Sequence, residues 1–142
     1  MNKTAKKLYN NSWEKIAHEI VEIRDGKECV LKGIQIEGEY CDTSRGYDLD
    51  HCFSRNIKFL FFDTSHLQFL CKKHHQRKSF AKGGAVDHAV REKVRLRVGP
   101  EKWKQLLLGM WKTCPEWATV YHQEHCNVRL KEELAMMMAE KE

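Results

Sequence analysis

Leu49-Asp50-His51-Cys52-Phe53-Ser54-Arg55, then His66-Leu67-Gln68-Phe69-Leu70-Cys71, then Lys72-Lys73-His74-His75-Gln76-Arg77-Lys78-Ser79 form the stretch that decides how this chain reads. Residues 47–53 have the composition of a strand, 54–58 of a turn, and 59–62 of a return strand or its continuation. Asp63-Thr64-Ser65 caps or turns the chain. Residues 66–71 are a short apolar segment. A helix should begin at Cys71 or Lys72, carry His74, His75 and Lys78, and stop at Gly83-Gly84. This order of side chains suits metal-assisted phosphodiester hydrolysis. The reaction needs a base to take a proton from water. It also needs a cation to hold the phosphate and absorb charge on the leaving oxygen. A neutral imidazole of ordinary pKa, about 6.5, suits the base's task, so His51 is the candidate. Neighbouring side chains on a strand point to opposite faces, so Asp50 can hold a cation while His51 faces the attacking water. A surface Asp-His pair is the better reading of that dipeptide taken alone.

Outward from this stretch, the chain has 142 residues and a net charge of +5, with 42% hydrophobic and 32% charged residues. That fits a single globular domain over 1–142, with a motif core at about 29–82 and a helical part at about 84–139. Lys72, Lys73, Arg77, Lys78 and Lys82 surround His74 and His75, and Arg91, Lys93, Arg95 and Arg97 follow, so a nucleic-acid partner is compatible with the charge. Arg55, Arg77 and Lys78 are candidate phosphate contacts. A solvated basic face is an equal alternative for any one of them. No apolar run approaches a membrane span, and no signal-type core follows the basic lead of residues 1–9. The expectation is a cytoplasmic protein without a membrane partner. Six cysteines without a secretion signal read as metal ligands or ordinary buried thiols rather than disulfides.

The flanks read as helices. Asn10, Asn11 and Ser12 are good N-caps, and Trp13, Ile16, Ala17, Ile20 and Val21 form a stripe ending near Gly26. Residues 33–48 read as a loop, with a short strand at 33–37. Val86, Val90, Val94 and Val98 step by four. Gly99 ends that helix and Pro100 opens the next, with a stripe of Trp103, Leu106, Leu107 and Met110. Thr113-Cys114-Pro115-Glu116 matches a capping box. Trp117, Val120, Tyr121, His125 and Val128 follow, with Leu130 and Leu134 beyond. His18, His88, His122 and His125 show no convergent ligand spacing. The class is α+β and mostly helical.

The central stretch resembles the HNH nuclease motif, the ββα-metal fold. The resemblance implies a ββα core embedded among N- and C-terminal helices. It places the base at the first histidine, His51, and the metal on Asp50 and His75, with His75 inside Cys71-x-x-His74-His75-x-x-Lys78. The resemblance places the family's catalytic set on His51, His66 and His75. The middle position, usually asparagine, is His66, which would brace the base's loop or ligate the metal. The implied cation is Mg²⁺ or Mn²⁺. The family's lead-in is a zinc knuckle of two Cys-x-x-Cys pairs. Here Arg24-Asp25-Gly26-Lys27-Glu28-Cys29 leads into it, but Lys32 replaces the second cysteine and cannot ligate. Cys29, Cys71 and His74 remain, with Cys41 as candidate for the fourth ligand of a structural Zn²⁺. Replacement of the zinc by apolar packing is the alternative.

The order of elements over about residues 10–134 also resembles the phage NinG recombination family, whose members are linked to cutting branched DNA. Close identity is confined to the motif. The resemblance implies a bacterial host cytoplasm, branched or junction DNA as partner, and allows a homodimer. The leading expectation is a metal-dependent endonuclease acting on recombination intermediates. The alternatives are a sequence-tolerant nicking enzyme, a delivered nuclease toxin, and a zinc-stabilised DNA-binding module that has lost catalysis.

Overall fold

Ala17, Ile20 and Val21 recur at the spacing of one helical face, and all three are buried in helix α1, Glu14–Asp25. Gly26, at φ 77°, lets the chain leave the helix where an L side chain would be strained. The computed structural model describes residues 13–36, 38, 40–42 and 46–141. The expected N-caps at Asn10, Asn11 and Ser12, and the basic lead before them, lie outside these residues.

Strand β1, Tyr47–His51, pairs antiparallel with β2, Leu67–Cys71, with Asp50 opposite Gln68 and His51 opposite Leu67. Helix α2, Lys72–Phe80, follows β2 without a gap. Helices α3, Ala85–Val98, α4, Pro100–Gly109, and α5, Val120–Lys141, complete the order. The result is an α+β chain, mostly helical, around a two-stranded sheet. Among the described residues no helix is long and apolar enough to cross a membrane.

The sheet separates two apolar clusters. Leu67 and Phe69 of β2 pack with Trp13, Ala17, Ile20, Phe61, Trp117 and Leu130. Leu70 and Cys71 join Leu31, Phe53, Val86, Val90, Val94 and Leu106. Burying one such Leu or Phe contributes about 1.5–3 kcal/mol, so both faces of β2 anchor the hairpin. The valine ladder behaves as read: Val86, Val90 and Val94 are buried and Val98 half-buried. Gly99, at φ 85°, forms the corner between α3 and α4. At Gly109 a Cβ would stand 2.6 Å from Leu60 Cδ2, so α4 approaches the 58–62 loop as closely as it does only because that side chain is absent.

Six expectations are corrected. Residues 59–62 form no strand: Lys58–Leu60 is a 3-10 turn, and the neighbours Phe61 and Phe62 both pack into the Trp13 cluster, which the alternating faces of a flat strand would not allow. β1 stops at His51, because Cys52 and Phe53 turn inward and the Cys52 amide bonds the His66 carbonyl at 2.9 Å. Residues 30–33 are a turn, and Ile36 makes only an isolated bridge; Glu37 lies outside the described residues. No side-chain cap forms at Cys114. Thr119 takes that role, its Oγ1 accepting from the His122 amide at 3.1 Å. Finally, α5 buries Gln123, Asn127 and Leu130, while Tyr121 and Val128 are exposed. Polar residues occupy inward positions there, so the apolar pattern pointed to the wrong face. Leu107 on α4 is likewise exposed.

Candidate metal centre and hydrolytic site

Cys71 caps α2, its Sγ accepting from the His74 amide at 3.5 Å. Residues three apart in a first turn share a side, so His74 Nδ1 returns to within 3.4 Å of Cys71 Sγ. The 29–34 turn is fixed against β2 by the Val30 amide, which bonds the Phe69 carbonyl at 2.9 Å. This places Cys29 Sγ 3.6 Å from His74 Nδ1, and the following loop brings Cys41 Sγ to 3.5 Å. All four donor atoms lie within 4.8 Å of one another. Zn–S and Zn–N bonds at a tetrahedral angle set sulfur and nitrogen roughly 3.5 Å apart, so the set fits a structural zinc. Lys32, in the knuckle's usual cysteine position, points outward and pairs with Glu28 at 3.0 Å. Burial pushes the Cys29 thiol up and the Cys41 thiol up to about 12. A divalent ion would displace those protons.

The other group lies on the opposite register of the hairpin. Asp48 and Asp50 are two residues apart on β1 and share a face with Gln68. Gln68 Nε2 donates to Asp50 Oδ2 at 2.6 Å. His75 Nδ1 bonds Asp48 Oδ2 at 2.8 Å, and its Nε2 stands 3.8 Å from Asp50 Oδ1. Donors 3.8 Å apart can share a cation with bonds of about 2.1 Å. A carboxylate behind the far ring nitrogen is the arrangement that orients a ligating histidine. Lys78 Nζ is 3.2 Å from Asp50 Oδ1 and donates to the His51 carbonyl at 3.0 Å. Burial pushes the Asp50 carboxyl up, against the opposing pull of Lys78 and Gln68. Partial burial also acts to raise Asp48, but hydrogen bonds from Lys72 and His75 outweigh it and hold that carboxyl low.

His51 points to the other face of β1, among Trp13 and Phe61, and is 6% exposed. Its Nε2 bonds the Phe61 carbonyl at 3.0 Å. A carbonyl can only accept, so Nε2 carries the proton and Nδ1 keeps the lone pair. His66 is fully committed: Nε2–H donates to the Leu60 carbonyl at 2.7 Å and Nδ1 accepts from the Phe53 amide at 3.3 Å. It ties both ends of the 52–66 loop and has no nitrogen left for a metal. Burial lowers His51 to about 3 and His66 to about 4. Between an ordinary histidine pKa of about 6.5 and those values, the unfolded chain binds protons that the folded protein does not. Stability is therefore full above about pH 6.5 and is lost as pH falls toward 4. Urea midpoints at pH 7.5 and about pH 5 measure this, and equal midpoints would contradict it.

Of the candidate phosphate contacts, Arg55 is exposed with its guanidinium 5.6 Å from the Phe61 ring, Arg77 is half-buried, and Lys78 is turned toward Asp50. Arg97, read as part of a basic surface run, is instead drawn inward: it bonds the Ser65 carbonyl at 2.6 Å, and Arg24 bonds the Thr64 carbonyl at 2.8 Å. Burial lowers Arg97 to about 10. Asp48 and Gln68 were not singled out from the sequence, and Lys72 was read only as part of the basic segment, not as a partner of Asp48. Strand alternation from Asp50 could have found Asp48; Gln68 needed the register. No family model, curated protein or solved structure matches this chain.

Proposed function

We propose that this chain is a metal-dependent HNH-type endonuclease that hydrolyses DNA phosphodiester bonds, with β1, β2 and α2 as its ββα core. One observation carries the reading: on adjacent residues of β1, His51 keeps a bare Nδ1 while Asp50 faces His75 Nε2 at 3.8 Å. In this reading His51 Nδ1 takes the proton of the attacking water, and Phe61 holds the ring in the required tautomer. Asp50 and His75 hold Mg²⁺ or Mn²⁺, which would neutralise phosphate charge when bound. Gln68 and Asp48 aim these two ligands. Arg55 and Arg77 contact the DNA backbone. The Cys29, Cys41, Cys71 and His74 cluster holds zinc and locks α2 to β2.

The contact between Lys78 and Asp50 favours a second reading, a zinc-stabilised DNA-binding module without catalysis, because an ammonium there satisfies the carboxylate. Plasmid nicking with Mg²⁺ against EDTA separates the two: no metal-dependent nicking would leave only the binding module. Branched DNA as the preferred substrate rests on the NinG resemblance, and a four-way junction against a linear duplex of the same sequence tests it. Arg97→Ala is unsuited to that test, since its bonds to the 65–67 backbone are structural.

Asp50→Ala and His75→Ala should each raise the metal concentration needed for half-maximal nicking. Asp48→Asn should raise it less, by about 10–100-fold, since it removes only the orienting carboxylate. Rate measured against Mn²⁺ concentration reads all three. Unchanged half-activating concentrations in both ligand variants would remove this site.

A further inference from the structure

A second set of soft donors lies away from the hairpin. Cys114 precedes the 3-10 turn Pro115–Ala118, and His122 and Cys126 stand four residues apart on α5. His122 Nε2 is 3.7 Å from Cys114 Sγ and 3.5 Å from Cys126 Sγ. Glu116 Oε2 is 3.7 Å from Cys114 Sγ. We propose that Cys114, His122 and Cys126 bind a second zinc ion, with Glu116 as the fourth donor.

The separations support it. Sulfur and nitrogen bound to one tetrahedral zinc lie roughly 3.5 Å apart, and both thiols meet that distance from the same ring nitrogen. Side chains four apart on a helix share a face, so α5 supplies two ligands without rearrangement. The third comes from a turn held in place: the Trp117 amide bonds the Cys114 carbonyl at 3.1 Å, and Thr119 caps α5. All four residues line a groove of about 1060 Å³ that also borders Lys58, Lys102 and Arg129, which gives an ion a path from solvent. Two thiols and an imidazole select zinc over Mg²⁺ or Mn²⁺. Among the described residues only the Cys29 cluster has every donor within 4.8 Å of the others. Here the imidazole is the shared point, and the half-buried Cys114 thiol must swing toward Cys126 to close the site. Binding exchanges the two thiol protons for the ion, with no change of oxidation state. The ion would fasten the 114–119 turn to the first turns of α5, and so fix one wall of the groove.

The site does not depend on the nuclease reading, and zinc content tests it directly. Protein purified without chelator should carry one more equivalent of zinc than His122→Ala or Cys126→Ser, and Cys71→Ser should retain that equivalent. Equal zinc in the wild type and both α5 variants overturns the proposal. Alkylation of the unaltered protein gives a reading independent of variant folding. Iodoacetamide should label Cys114 and Cys126 at least about tenfold more slowly with zinc than after chelation, because the thiolate is the nucleophile and the metal occupies it. Labelling indifferent to zinc also overturns it.

Discussion

Cleavage by His51→Ala is expected to fall about 10²–10⁴-fold, the range a positioned general base supplies. The effect should appear in the rate of nicking and not in DNA affinity, because His51 is 6% exposed and offers the backbone of DNA no charge. The ring also packs on Phe61 at 4.6 Å between centroids, so alanine leaves a cavity, and a folding loss must be told apart from a chemical one. His51→Gln makes that separation. Its amide can still donate to the Phe61 carbonyl and fill much of the space, but it has no basic nitrogen. Both variants should be inactive while only the alanine variant melts early. The pH profile adds a second reading. Burial holds His51 near 3, so the base stays neutral well below the pH at which an ordinary histidine would switch off. An acid limb near pH 6.5 that His51→Gln abolishes would contradict this environment, and wild-type turnover by either variant would remove His51 from the chemistry.

The sequence made β1 and the helices legible where one periodicity dominated, but the return strand was read at 59–62 and β2 itself only as a short apolar segment. The valine ladder of α3 and the Gly99-Pro100 corner followed from spacing and backbone chemistry alone. The 58–62 segment did not, because a 3-10 turn sets the neighbours Phe61 and Phe62 into one cluster, and strand composition cannot reveal that departure from alternation. α5 misled for the opposite reason: Gln123 and Asn127 face inward, so tertiary packing overrode the apolar pattern. In the site, Cys29, Cys41, Cys71 and His74 were named from the damaged knuckle and do converge. Cys41 could be proposed but not placed, since the 33–46 loop carries no periodic signal. The partners of Asp50 and His75 were invisible for a related reason. Gln68 meets Asp50 only through strand register, and Asp48 meets His75 only once α2 is laid across the sheet. His122 was set aside because its thiol neighbours stand eight residues before it and four after, a spacing that becomes a contact only through the 114–119 turn.

Removal of zinc from the Cys29, Cys41, Cys71 and His74 cluster should cost the fold more than any single apolar truncation. Structural zinc contributes apparent free energies of about 10–16 kcal/mol in peptides that depend on it wholly, whereas a folded domain holds about 5–15 kcal/mol in total. Here Leu31, Leu70 and Val90 remain packed around the cluster, so part of the fold should survive, and a fall in melting temperature on the order of 10 °C or more is expected on chelation. Two variants separate metal loss from local damage. Cys71→Ser keeps the N-cap, because serine accepts the His74 amide at least as well as a thiol does, so any loss reports the missing ligand. Cys41→Ser sits on a half-buried loop position, where a substitution without metal consequences changes stability by about 0.5 kcal/mol or less. Both should fall to the chelated melting temperature, and neither should fall further when chelator is added. If Cys41→Ser melts with the wild type while zinc analysis finds the cluster empty, the four side chains are a packed remnant, and α2 is held to the sheet by apolar packing together with the bonds of His75 to Asp48 and of Lys78 to Asp50 and the His51 carbonyl.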